Sequence, residues 1–264
     1  MAEQAFFSDE SIQQQQVAVL SAANSELVVS SDSNRPMRIN IKQTDEQSIK
    51  VTIGQRVKRD LIMYYQGDGT QQLTIDVTIA ADSQVNMLLL VLGTAHVGIN
   101  MTTHLAGEGA QTNASVIGVV KQNQYLKITN QVINDARHTI GHIQQRGIAM
   151  DTAKITFNGI GHVKKGAAGS DAQQASRLLM LDTLATGEVN PILLIDEDDV
   201  MAGHAASVGQ VNQDQVNYLL SRGIPLDDAQ RLVTRGFITQ TINHLPQGWQ
   251  NEIYTEIERQ LNHE

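Results

Sequence analysis

Cysteine is absent from all 264 residues. That excludes disulfides, thiolate nucleophiles and sulfur ligands to zinc or iron within this chain. Aromatic side chains make up only 4% of it; between Gln66 and Asn217 there are just Tyr125 and Phe157, and Pro191 is the single proline. Sandwich and doubly wound domains usually spend more large rings on their cores. A core of Val, Ile, Leu, Met and Ala in thin repeated layers is expected instead. Basic residues are outnumbered, 19 against 28 acids, for a net charge of −9. Nucleic acid and anionic membrane surfaces are held mainly by Lys and Arg, so neither is expected as a partner. Long apolar runs are missing too. The longest, Met87 to Leu92, is far short of a bilayer span, and the opening MAEQAFFSDE lacks the basic and apolar segments of a secretory signal. A soluble, cytoplasmic protein is expected.

What is present is alternation. Leu73, Ile75, Val77 and Ile79 are separated by polar residues, and Val85, Met87, Leu89 and Val91 repeat the period of a half-buried strand. Turn-forming clusters punctuate the pattern at Ala80–Ser83, Gly107–Gly109 and Gly159–Gly161. From Val17 to His204 the only helical period is a short piece near Asp171 to Leu181. Many short strands fit a sandwich, a barrel or a β-solenoid. The scarcity of rings and the weak likeness between IAADSQVNM, LAGEGAQTN and IAMDTAKIT favour the solenoid.

After Gly209 the period changes to that of helices. Asn212 and Gln215 are spaced as a capping box ahead of Val216, Leu219 and Leu220. Pro225 suits a helix start, Ala229, Leu232, Val233 and Phe237 share a face, and Trp249, Ile253, Ile257 and Leu261 make a third stripe. Residues 1–16, with their run of glutamines, read as a flexible extension, 17–208 as the β body and 209–264 as a helical domain.

Several stretches look like chemistry and fail on spacing. Ala205-Ala206-Ser207-Val208-Gly209 is one residue from a nucleophile elbow, but the helix that must follow the serine starts too late. Gly161 to Gly166 has the glycine spacing of a phosphate-binding loop, but Ala167-Ala168 replace the Lys and Ser/Thr that would hold phosphate and magnesium. His138 and His142 are four apart, yet they lie in strand and loop with no third ligand in obvious spacing, so they read as surface histidines. Asp196, Glu197, Asp198 and Asp199 read as acids that keep a strand edge soluble. His204 stands among Gly and Ala, where an incoming group could reach it.

Three segments in order, GSDAQQASRLLMLD (169–182), Asn190 to Ile195, and DDVMAGHAASVGQ (198–210), followed by YLLSRGIPLDDAQRLVTRGF (218–237), resemble the SufB/SufD family of iron–sulfur cluster assembly scaffolds, on its SufD-like side. The resemblance runs from about Met101 onward and is poor before about residue 70. It implies a right-handed parallel β-helix with a small C-terminal helical domain, and a scaffold with no enzymatic activity of its own. It also implies two partners. One is an ABC-type ATPase of the SufC kind, docked on the helices in the region of Arg222, Gly223, Ala229, Leu232 and Phe237. The other is a SufB-like subunit or a second copy, paired through the apolar strand edge at Leu193, Leu194, Ile195 and Val200. His204 matches the histidine associated with cluster building where two such subunits meet. SufB-like members carry a functional cysteine at a position close to Ala185 here. Without a thiolate the isolated chain is expected to bind no cofactor and no metal, and an iron–sulfur cluster is expected only in the full complex. The rivals from other classes are a β-helix acyltransferase or lyase, and an adaptor that binds the ATPase without a cluster role.

Overall fold

A computed structural model of the chain describes residues 17–20, 23–30, 32–33, 35–42, 46–67, 70–92 and 96–261. The expected extension at 1–16 lies outside them. Among the described residues fifteen strands alternate between two sheets, every pairing parallel. The odd strands, β1 (Val17–Leu20), β3 (Met37–Lys42), β5 (Lys58–Gln66), β7 (Gln84–Leu92), β9 (Gln111–Val120), β11 (Ile140–Ala149), β13 (Ser170–Met180) and β15 (Val200–Gln210), form one sheet in that order. The even strands, β2 (Asn24–Val29), β4 (Glu46–Ile53), β6 (Thr70–Ile79), β8 (His96–Leu105), β10 (Tyr125–Asn134), β12 (Lys154–Val163) and β14 (Thr186–Ile195), form the other. The chain therefore winds as a β-solenoid, each rung laying one strand on each sheet.

Rungs stack because like residues recur at one spacing. Leu73, Ile99, Ile128, Phe157 and Val189 make one inward column on the even sheet. Each fully buried aliphatic side chain contributes about 1.5–3 kcal/mol, so repetition rather than ring size builds this core. One corner repeats a left-handed residue at Arg56, Asp82, Gly109, His138 and Gly169. Each donates its N–H to a carbonyl of the next rung, as His138 does to Ala168 at 3.0 Å. Glycine is required at 169, with φ of +73° and a Cβ that would fall 2.4 Å from the His138 ring.

Two expectations are corrected. The helical piece near Asp171–Leu181 is β13: Leu178 and Met180 turn into the solenoid while Leu179 turns outward, so both faces are covered and the alternation is blurred. Gly159–Gly161 is not a turn but part of β12. Its two glycines face inward and make room for Gln174 and Leu193 from neighbouring strands.

Helices α1 (Gln213–Ser221), α2 (Leu226–Ile242) and α3 (Gln247–Leu261) follow. Asn212 caps α1 through its side-chain oxygen, and Pro225 stands just ahead of α2. Trp249, Ile253, Ile257, Ile238 and Ala229 share one buried cluster with Tyr64, Leu90, Ile117 and Ile148. The helices thus pack on the outer face of the odd sheet. β15 ends at Gln210, two residues before α1 begins.

Candidate functional site

The last rung has no successor. β14 is the end strand of its sheet and β15 the end strand of the other. Inward columns that are buried throughout the solenoid become open there. Met37, Leu61, Met87, Ala114, Ile143 and Gln174 lead up one column to His204, which is exposed. His204 therefore stands at the mouth of the solenoid interior, directly above Gln174. Its imidazole makes no hydrogen bond or ion pair among the described residues, so it holds no strand end in place.

Around it the rung is apolar. Ile192, Leu194, Ile195, Met201 and Val208 are exposed, between 40% and 64% of their surface reaching solvent. Leu193 is half-buried. Val200 packs on Val163, Ala167 and Ala172. The expected edge of Leu193, Leu194, Ile195 and Val200 is thus contiguous with His204, and Met201 and Val208 belong with it. Their odd spacing within β15, seven residues, puts them on opposite faces of the strand and could have signalled that both faces lacked cover.

The acids beside this rung do more than solvate it. Glu197 accepts the backbone N–H of Gly166 at 2.9 Å and of Asp198 at 3.0 Å, with Lys165 at 3.5 Å. The Gly166 bond foremost, then the others, holds its carboxyl below the usual range. Asp196 pairs with His162 at 2.9 Å. His142 pairs with Asp171 at 3.1 Å and His138 stands 4.0 Å from Glu108, so those two histidines answer separate carboxylates. No three His, Asp or Glu side chains among the described residues are arranged to hold a metal ion. Ser207 lies inside β15, where no strand-to-helix turn exists to make it a nucleophile.

On the helices, α1 and α2 border an open groove of about 420 Å³ lined by Asp214, Gln215, Tyr218, Leu219, Leu232 and Val233. Leu232 is exposed on its wall, and Arg222 is exposed with its guanidinium 5.2 Å from the Tyr218 ring centre. Gly223, with φ of +81°, turns the chain between the helices. Ala229 is fully buried and Phe237 half-buried beneath Arg146, so these two side chains serve the chain's own packing. Tyr218, Leu220 and Leu226 are exposed as well; of these, helical spacing had marked only Leu220.

The family model described as "SUF system FeS cluster assembly, SufBD core domain" matches residues 6–237. The chain belongs to the SufBD family. It is 41% identical to the iron-sulfur cluster assembly protein SufD of Bacillus subtilis over 181 residues, 68% of this chain and 41% of the relative. Escherichia coli SufD is 26% identical over 187 residues, 70% of this chain and 44% of that one. The B. subtilis protein SufB is 30% identical over 142 residues, 54% of this chain and 30% of the relative. Each match spans less than half of the relative's length. The SufBD solenoid is the parallel, ring-poor one expected from the sequence, and no described helix is long and apolar enough to cross a membrane.

Proposed function

We propose that this chain is a non-catalytic scaffold subunit of a SUF-type iron–sulfur cluster assembly complex. The observation that carries the reading is the uncovered last rung, an apolar strand edge with an unbonded histidine at its centre. A strand edge of this kind is completed by another strand edge. The reading therefore pairs β14 and β15 with the matching rung of a SufB-like subunit or of a second copy, which brings His204 to the seam. With no cysteine of its own, the chain supplies the imidazole side of that seam; a SufB-like partner supplies the thiolates, which a second, equally cysteine-free copy does not. An ABC-type ATPase of the SufC kind docks separately on α1 and α2, at Arg222, Gly223, Leu232 and the groove beside Tyr218, where apolar surface and an exposed guanidinium meet.

Affinity purification of the tagged chain from its native host tests this. The expected result is recovery of an ABC-type ATPase together with a SufB-like subunit or untagged second copy, with iron and acid-labile sulfide in the fraction that holds the SufB-like subunit. Recovery of the chain alone, at micromolar concentration and free of both partners, would contradict it.

A further inference from the structure

The outer face of the odd sheet carries a column that runs Tyr64, Leu90, Ile117, Arg146, Arg177, Ser207. Its first three residues lie under the helices in the shared apolar cluster. The next two are arginines on neighbouring strands, in direct register. Strands are spaced about 4.8 Å apart, so the two cationic side chains leave the sheet as direct neighbours. Arg146 is only 7% exposed, yet among the described residues it meets no carboxylate: its Nη2 donates to Gln240 Oε1 at 2.9 Å and its guanidinium lies 5.3 Å from the Phe237 ring centre. Arg177 is exposed and makes no hydrogen bond or ion pair among the described residues. Ser207, next in the column, is exposed, and its hydroxyl makes no hydrogen bond among the described residues.

A buried guanidinium without a carboxylate is costly, and a like charge beside it raises that cost. Burial and then Arg177 both push the Arg146 pKa down. In a chain with 28 acids and a net charge of −9, leaving this pair uncompensated is unexpected unless something else neutralises it. We propose that Arg146, Arg177 and Ser207 form a binding site for a small oxyanion, a free phosphate or carboxylate species that bridges the two guanidinium groups and accepts from the serine hydroxyl. Two planar forks on adjacent strands suit an anion with at least two oxygens, which arginine binds bidentately. Gly203, Ala205 and Gly209 on the outward side of β15 leave the approach beside Ser207 open. The site is argued from the arginine column and not from the SUF reading, although its Ser207 lies on β15, the end strand that reading pairs with a partner; titrating the chain by itself keeps the two readings distinguishable.

Calorimetric titration of the full chain at constant ionic strength in chloride decides the matter, with inorganic phosphate in one arm and citrate in the other. Binding with a Kd of about 1 mM or tighter is expected in at least one arm. Losing one charge-assisted pair corresponds to about tenfold or more, so Arg177→Gln should weaken binding by that factor while Arg177→Lys falls between the two. Arg177 is exposed, so both variants should stay folded, with Arg177→Lys melting as the wild type does and Arg177→Gln melting no lower, as the same samples report. Binding in the phosphate arm alone identifies a phosphoryl site, and binding in both a general oxyanion site. No heat in either arm up to roughly twenty times that Kd, or binding unchanged in Arg177→Gln, overturns the proposal.

Discussion

At the scale of single residues, the contrast between His204 and Phe237 is instructive. His204 is exposed and holds nothing, so His204→Ala should change stability by less than about 0.5 kcal/mol, measured by denaturant unfolding. A larger loss would mean that the imidazole has structural work. Phe237 is half-buried against the sheet and under Arg146. Truncating it removes apolar contact and the ring beneath a cation, and Phe237→Ala should cost about 2 kcal/mol. Both residues stood out in the sequence, one by isolation among glycines and alanines and the other by helical spacing. Sequence could not divide their roles, because burial of a helix face depends on which strands lie beneath it. Ala229 shows the same thing: its place on the apolar face was legible, its complete enclosure by the odd sheet was not.

At the scale of elements, the docking of α3 on the solenoid includes a polar seam. Glu252 is nearly buried, neither carboxyl oxygen has a hydrogen bond among the described residues, and Arg38 Nη1 stands 3.6 Å away. Burial raises its pKa to about 8, with Glu256 adding to the rise and Arg38 opposing it. The ordinary value in an unfolded chain is 4.5. The folded state thus binds this proton more tightly, and the stability it confers is complete below pH 4.5 and is lost as pH rises toward 8. Melting temperature should fall across that window in the wild type and fall less in Glu252→Gln. Equal slopes in the two proteins would show that another group carries the pH dependence. This seam was invisible in the sequence, since Arg38 and Glu252 belong to opposite ends of the chain. The strands were easier to read where one face meets solvent, as in β6. They were harder where both faces are covered, as at the end of β13, whose run of leucines mimics a helix.

At the scale of the whole molecule, a solenoid has two ends and a flank, and each can host a partner without disturbing the others. The repeat was legible because it is written in composition: few rings, many β-branched and aliphatic residues, and turns at a steady interval. The stacking that turns Gln174 and His204 into one column was not, because register depends on the length of every intervening corner. Leu194 is exposed on the end strand, so Leu194→Lys should leave the monomer folded and weaken pairing at that edge by about tenfold or more, read by light scattering across a dilution series. Arg222→Glu, on the flank, should reduce ATPase retention and leave pairing unchanged. Loss of both partners from either variant would mean the two surfaces are not separate.

The claim that the last rung is where clusters are built is tested most directly by His204→Ala in the partner-bound complex, with acid-labile sulfide and iron counted per folded complex and the melting temperature taken on the same sample. The account predicts intact partners, an unchanged melting temperature and a clear drop in sulfide and iron. A normal cluster yield per complex would contradict it and leave the chain as an adaptor for the ATPase.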